Sequence, residues 1–142
     1  MNSCLRVACL VALLTACHNA SNASPRTVAE GQIASGSSLF AANCAKCHGD
    51  AGEGTDDAPP LVGKDALPLN PRPDQKLRAA SFHTAKDVAT FVTTQMPPKA
   101  NLRAKLSSGD YWSIVAFVLN ANGVNLHEPI GASNASSIVL HP

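Results

Sequence analysis

The 142-residue sequence predicts an all-α domain of three to four helices with one long loop. Three observations predict it. Thr84-Ala85-Lys86-Asp87 and Ser107-Ser108-Gly109-Asp110 each read as a capping box, in which a hydroxyl and a carboxylate satisfy N–H groups orphaned at a helix start. Apolar residues then recur at helical spacing: Val88, Phe91 and Val92 after the first box, and Tyr111, Ile114, Val115, Val118 and Leu119 after the second. Nowhere does the chain alternate as a half-buried strand would.

Taken in order, the chain opens with Arg6 and a short apolar run, Val7 to Leu14. The run is too short to cross a bilayer as a helix but long enough for a secretory signal. Leu14-Thr15-Ala16-Cys17 resembles the bacterial lipobox, whose cysteine is acylated and begins the mature chain. Residues 1–16 are therefore expected to be a lipoprotein-type signal peptide, with Cys17 the lipidation site and membrane anchor. The competing reading is an ordinary signal cleaved near Ala20 or Ala23, with Cys17 discarded. Both export the protein, and the expected location is the periplasm.

Residues 17–35, rich in Ser, Asn and Ala toward the front, are expected to form a flexible tether before a folded domain at 36–124. Ser37 to Cys44 reads as a short helix that stops in the Gly-rich stretch Asp50 to Gly54. Between Thr55 and Asp74 stand Pro59, Pro60, Pro68, Pro71 and Pro73, which bar a regular helix and suit a loop wrapped around something. Met96-Pro97-Pro98 ends the first capped helix, and Gly123 is the C-terminal cap of the second. Residues 125–142 are expected to be an irregular tail.

A formal net charge of +1 offers no basic footprint for nucleic acid. With only four Phe, one Trp and one Tyr, a self-sufficient core is hard to build, and a large apolar cofactor would compensate. Cys44-Ala45-Lys46-Cys47-His48 says which one. C-x-x-C-H is the attachment motif of c-type haem: two thiols reach the two vinyl groups of the porphyrin, and the adjacent imidazole sits beneath the iron. A thioredoxin-like redox site would need a βαβ context, and a zinc site needs further ligands. A structural Cys44–Cys47 disulfide is the remaining alternative in an oxidising compartment.

With that motif in place, the segment Gly36 to Gly123 resembles the class I (monohaem) bacterial cytochromes c. Gly36 to Gly49 resembles the family's first helix and haem motif, Pro59-Pro60-Leu61-Val62-Gly63 its P-x-L-x-G turn, Met96-Pro97 its distal methionine segment, and Tyr111 to Leu119 its last helix. The resemblance implies one covalent haem c on Cys44 and Cys47, His48 and Met96 as axial ligands to its iron, and the Pro59 carbonyl on the His48 Nδ1–H. His83 is the rival distal ligand. Gly36 and Phe40 are expected against the last helix near Tyr111 and Val115. Trp112 is read as half-buried packing, and Arg72, Lys76 and Arg78 as surface residues or partners of the haem propionates. The implied function is periplasmic single-electron transfer, not catalysis. The redox partner would be a periplasmic dehydrogenase, whose haem subunits the stretches Asp87 to Pro98 and Tyr111 to Gly123 resemble, a respiratory complex or a terminal oxidase. The alternative is a haem-based ligand sensor or peroxidase-like enzyme with an open distal site, which requires that Met96 not bind.

Overall fold

A computed structural model describes residues 27–73 and 75–141. The signal-like segment, Cys17 and His18 lie outside the described residues. Among the described residues five α-helices follow in order: α1 (Val28–Asn43), α2 (Ala45–His48), α3 (Ala85–Gln95), α4 (Ala100–Arg103) and α5 (Ser108–Ala121). A 3₁₀ turn at Ala135–Ser137 comes last. Among the described residues no strand ladder forms, and one isolated antiparallel bridge joins Thr84 to Val139.

The first helix begins earlier than the sequence reading places it. Residues 28–35, assigned there to the tether, are the first two turns of α1. Thr27 caps them: its hydroxyl accepts the Glu30 N–H at 3.2 Å, and the Glu30 carboxylate accepts the Thr27 N–H at 2.7 Å. This is the same reciprocal box as in the later helices. The glycines and serines behind it, Gly31, Ser35, Gly36 and Ser37, have poor helix propensity and mask it in the sequence. Tertiary contact supplies what propensity lacks, because α1 lies across α5.

Gly36 sits at that crossing. A β-carbon on it would fall 1.8 Å from the Ser113 carbonyl oxygen and 2.9 Å from the Phe117 Cβ, so only glycine lets the two backbones approach. One turn on, Phe40 is 1 % exposed and meets Phe117 with ring centroids 5.3 Å apart. The contact runs along Ser113, Ile114, Phe117 and Val118. Val115 serves a second core with Phe82, Val88, Ala116 and Leu119, which joins α3 to α5.

The C-terminal segment has little regular structure but is built into that second core through Ile130 and Ala135. The Gln32 amide of α1 exchanges two hydrogen bonds with the Ile130 backbone, each 2.9 Å. Ala85 N–H donates to the Ile138 carbonyl at 3.0 Å, and Leu140 N–H to the His83 carbonyl at 2.9 Å.

The two later capping boxes give the fold an acid limit. The Ser107 N–H and hydroxyl both donate to Asp110, and these bonds hold its carboxyl below the ordinary aspartate range. Partial burial opposes the charge of Asp87, but bonds from the Thr84 N–H and hydroxyl and the His83 N–H outweigh it and lower its pKa too. A carboxyl whose folded pKa is depressed contributes stability that is present above its unfolded value, about 3.9, and lost as pH falls through the folded one. Unfolding midpoints should therefore drop below about pH 4. Asp87→Asn with Asp110→Asn should flatten that dependence, measured by denaturant titration between neutral and acid pH. An unchanged acid slope in the double variant would show that other groups govern it.

Candidate haem site

Helix α1 is capped at its C-terminus by Cys44, which also begins the single turn α2, and α2 carries Cys47 and His48 at its end. Gly49, at φ 85°, breaks the turn, and the chain folds back over it. Gly54 N–H donates to the His48 carbonyl at 2.7 Å, the Thr55 hydroxyl to the Cys47 carbonyl, and Leu61 N–H to the Gly52 carbonyl at 2.7 Å. Gly54, at φ 88°, lies so near Pro60 that a β-carbon would stand 2.7 Å from the proline nitrogen. This tight return brings the Pro59 carbonyl to 2.8 Å from His48 Nδ1.

That contact fixes the chemistry of the ring. A carbonyl oxygen can only accept, so Nδ1 carries the hydrogen, and in the neutral ring Nε2 is the nitrogen with the lone pair. The bond also fixes the orientation of the imidazole. His48 is buried, as is Ala45 beside it. Burial, then the neighbouring Cys47, pushes the Cys44 thiol up to about 11, so at neutral pH it is an uncharged S–H. Cys47 is exposed, and neither thiol is in a disulfide.

Cys44, Cys47 and His48 line one cleft of about 280 Å³, to which Pro59 and Met96 also contribute. Its remaining walls are mostly apolar side chains from the Pro-rich loop, α3 and α5, among them Leu67, Val88, Ile114 and Val118. Met96 caps the C-terminal end of α3 and is half-buried. Its carbonyl accepts the Tyr111 hydroxyl at 2.8 Å. Burial raises the Tyr111 pKa and keeps the phenol a donor. Arg103 holds the next two carbonyls, Pro97 at 2.8 Å and Pro98 at 2.7 Å. Sequence alone assigns Tyr111 a packing role and Arg103 none. The Tyr111–Met96 pair is 15 residues apart, and nothing local signals it.

His83 is exposed before α3 and does not line the cleft. Trp112 is half-buried against the α3–α5 core, also away from the cleft. Arg72, Lys76 and Arg78 do line it. Arg78 is turned inward, 5 % exposed, with its guanidinium 3.7 Å from the centre of the Phe82 ring. Its Nη2 donates to the Pro68 and Leu69 carbonyls at 2.6 and 2.7 Å, so much of its donor capacity ties the Pro-rich loop together.

A flat apolar prosthetic group with an iron centre fits this donor set. Two thiols stand close together on one turn, the imidazole Nδ1 is held by a carbonyl, a methionine lines the same cleft, and the walls are mostly apolar. Comparison with known proteins agrees. Residues 31–118 match the family described as Cytochrome C oxidase, cbb3-type, subunit III. The chain is similar to thiosulfate dehydrogenase of Stutzerimonas stutzeri (strain A1501), 32% identical over 91 residues that cover 61% of this chain and 26% of that protein. It is also similar to a chain of the sulfane dehydrogenase SoxCD of Paracoccus pantotrophus, with TM-score 0.56 and 35% identity, covering 76% of this chain and 52% of that one. This chain thus spans only about a quarter and about half of the lengths of these two relatives. The family match takes in more than half of the sequence and every residue of the C-x-x-C-H motif, and by it the chain belongs to the cytochrome c family, electron-transfer proteins that hold haem c and its iron covalently.

Proposed function

We propose that this protein passes single electrons through one low-spin haem c with His48 and Met96 as axial ligands. The observation that carries the reading is the shared cleft: His48, with Nε2 left free by the Pro59 bond, and Met96, held at its carbonyl by Tyr111, line the same walls. The haem, when bound, supplies one-electron exchange at iron. The protein's part is to keep that exchange low in rearrangement. Pro59 holds the His48 ring in one orientation and tautomer. Tyr111 and Arg103 pin the backbone from Met96 to Pro98. A thioether is a soft ligand that favours the reduced metal and raises the potential relative to a second histidine. With His48 and Met96 both holding the iron, substrates and gases would have no site on the metal.

A redox enzyme is the partner this reading calls for. Both relatives carry dehydrogenase names, and the compounds in those names are sulfur compounds. These names support a periplasmic dehydrogenase acting on a reduced sulfur species as the partner. Electron-transfer encounters are small and transient, so a modest exposed rim around Cys47 and Leu77 suffices. Export and acylation at Cys17 would hold the carrier at a membrane surface, each buried CH₂ adding about 0.8 kcal/mol. Cys17→Ser should then move the protein to the soluble fraction, and retention in the membrane fraction would remove the anchor from the account.

Carbon monoxide tests the carrier reading. Added to the reduced protein, it should leave the visible spectrum unchanged over minutes. A prompt spectral shift would mean an open iron, and the sensor or peroxidase-like alternative would replace the carrier.

A further inference from the structure

We infer that His141, near the end of the C-terminal segment, is a positioning residue for the haem cleft: its Nε2–H holds the Leu67 carbonyl and keeps the Leu67 side chain in the cleft wall. The inference rests on the bound haem and not on Met96 as its ligand.

Leu67 is the one non-glycine residue with positive φ among the described residues, at 44°. An L-residue with a branched side chain adopts that conformation only where its surroundings impose it. The side chain lines the cleft and touches both cores, the one around Phe40 and Ile114 and the one joining α3 to α5. The backbone around it lies in no helix or ladder, and apart from the Phe82 N–H on the Leu69 carbonyl, side chains take the carbonyls of residues 65 and 67–69. Arg72 takes the Asp65 carbonyl, and Arg78 takes those of Pro68 and Leu69. The Leu67 carbonyl is taken by His141 Nε2 at 3.1 Å. Because a carbonyl only accepts, Nε2 carries the hydrogen.

Both arginines belong to the loop itself, whereas His141 reaches it from 74 residues away. The segment that carries His141 lies beyond the family match and is fastened independently, by Gln32 to Ile130, Ala85 to Ile138 and Leu140 to His83. Losing the imidazole should therefore leave the segment in place and release only Leu67. A loosened Leu67 wall admits water to the haem. Water stabilises the extra positive charge of the oxidised iron, so the midpoint potential falls.

The test uses the holoprotein with His141→Ala and His141→Gln, since a glutamine amide offers an N–H near the position of Nε2. Two readouts are taken: the midpoint potential, and hydrogen–deuterium exchange at residues 64–69. The expected result is a lower potential and faster exchange in His141→Ala, with both restored toward the parent in His141→Gln. A parent-like potential in His141→Ala would overturn the inference, whether or not exchange quickens. So would an equal fall in both variants, since the donor would then not be the cause. The carrier reading fails separately, by carbon monoxide binding to the unaltered protein.

Discussion

Gly36→Ala should destabilise the protein by about 3 kcal/mol, the upper part of the usual overpacking range. The β-carbon would meet a backbone carbonyl at 1.8 Å, and a carbonyl inside α5 cannot swing away as a side-chain tip could. Helices α1 and α5 would have to separate, which also loosens Phe40 against Phe117 and the Cys44 end of α1. Gly31→Ala is the matched control on the same helix. A β-carbon there meets nothing within 4 Å, and the exchange should be neutral or stabilising by up to about 1 kcal/mol from helix propensity alone. Denaturant unfolding of both variants checks this. Equal midpoints would show that the crossing adapts and that Gly36 does not set the interhelix distance.

The second large effect concerns the cofactor as a structural element. Cys44→Ala with Cys47→Ala removes both attachment points. If the haem is lost, the cleft between Val88 of α3 and Ile114 and Val118 of α5 has no occupant. A porphyrin face of roughly 400 Å² at about 25 cal/mol per Å² is worth on the order of 10 kcal/mol. That is the size of a whole domain's stability. The double variant should keep much of its far-ultraviolet helical signal, lose its near-ultraviolet signal and bind a hydrophobic dye. A cooperative unfolding transition with a parent-like midpoint would show instead that the polypeptide core is sufficient without the haem.

Much of this arrangement is legible in the sequence because its causes are local. The boxes at Thr84–Asp87 and Ser107–Asp110, the Pro-Pro stop after Met96 and the Cys44–His48 motif each act within a few residues. The Pro59 contact with His48 could be expected from resemblance alone, and the hydrogen bond is there at 2.8 Å. What escaped has two physical origins. The Thr27–Glu30 box had the right residues, but the glycines and serines after it hid a helix that persists through contact with α5. Tyr111 to Met96, Gln32 to Ile130 and His141 to Leu67 join residues 15, 98 and 74 positions apart, and no periodicity encodes such pairs. Arg78 belongs with them: a charged residue in a polar stretch reads as surface, yet three carbonyls and the Phe82 ring take it inside.

In the proposed ligation, His48 and Met96 together would close both axial positions of the iron. The near-infrared absorption spectrum of the oxidised protein tests it most directly, recorded beside Met96→Ala. The expected result is a weak thioether-to-iron band in the parent that is absent in the variant, whose reduced form then takes up carbon monoxide. No such band in the parent, or a band that survives in Met96→Ala, would contradict it.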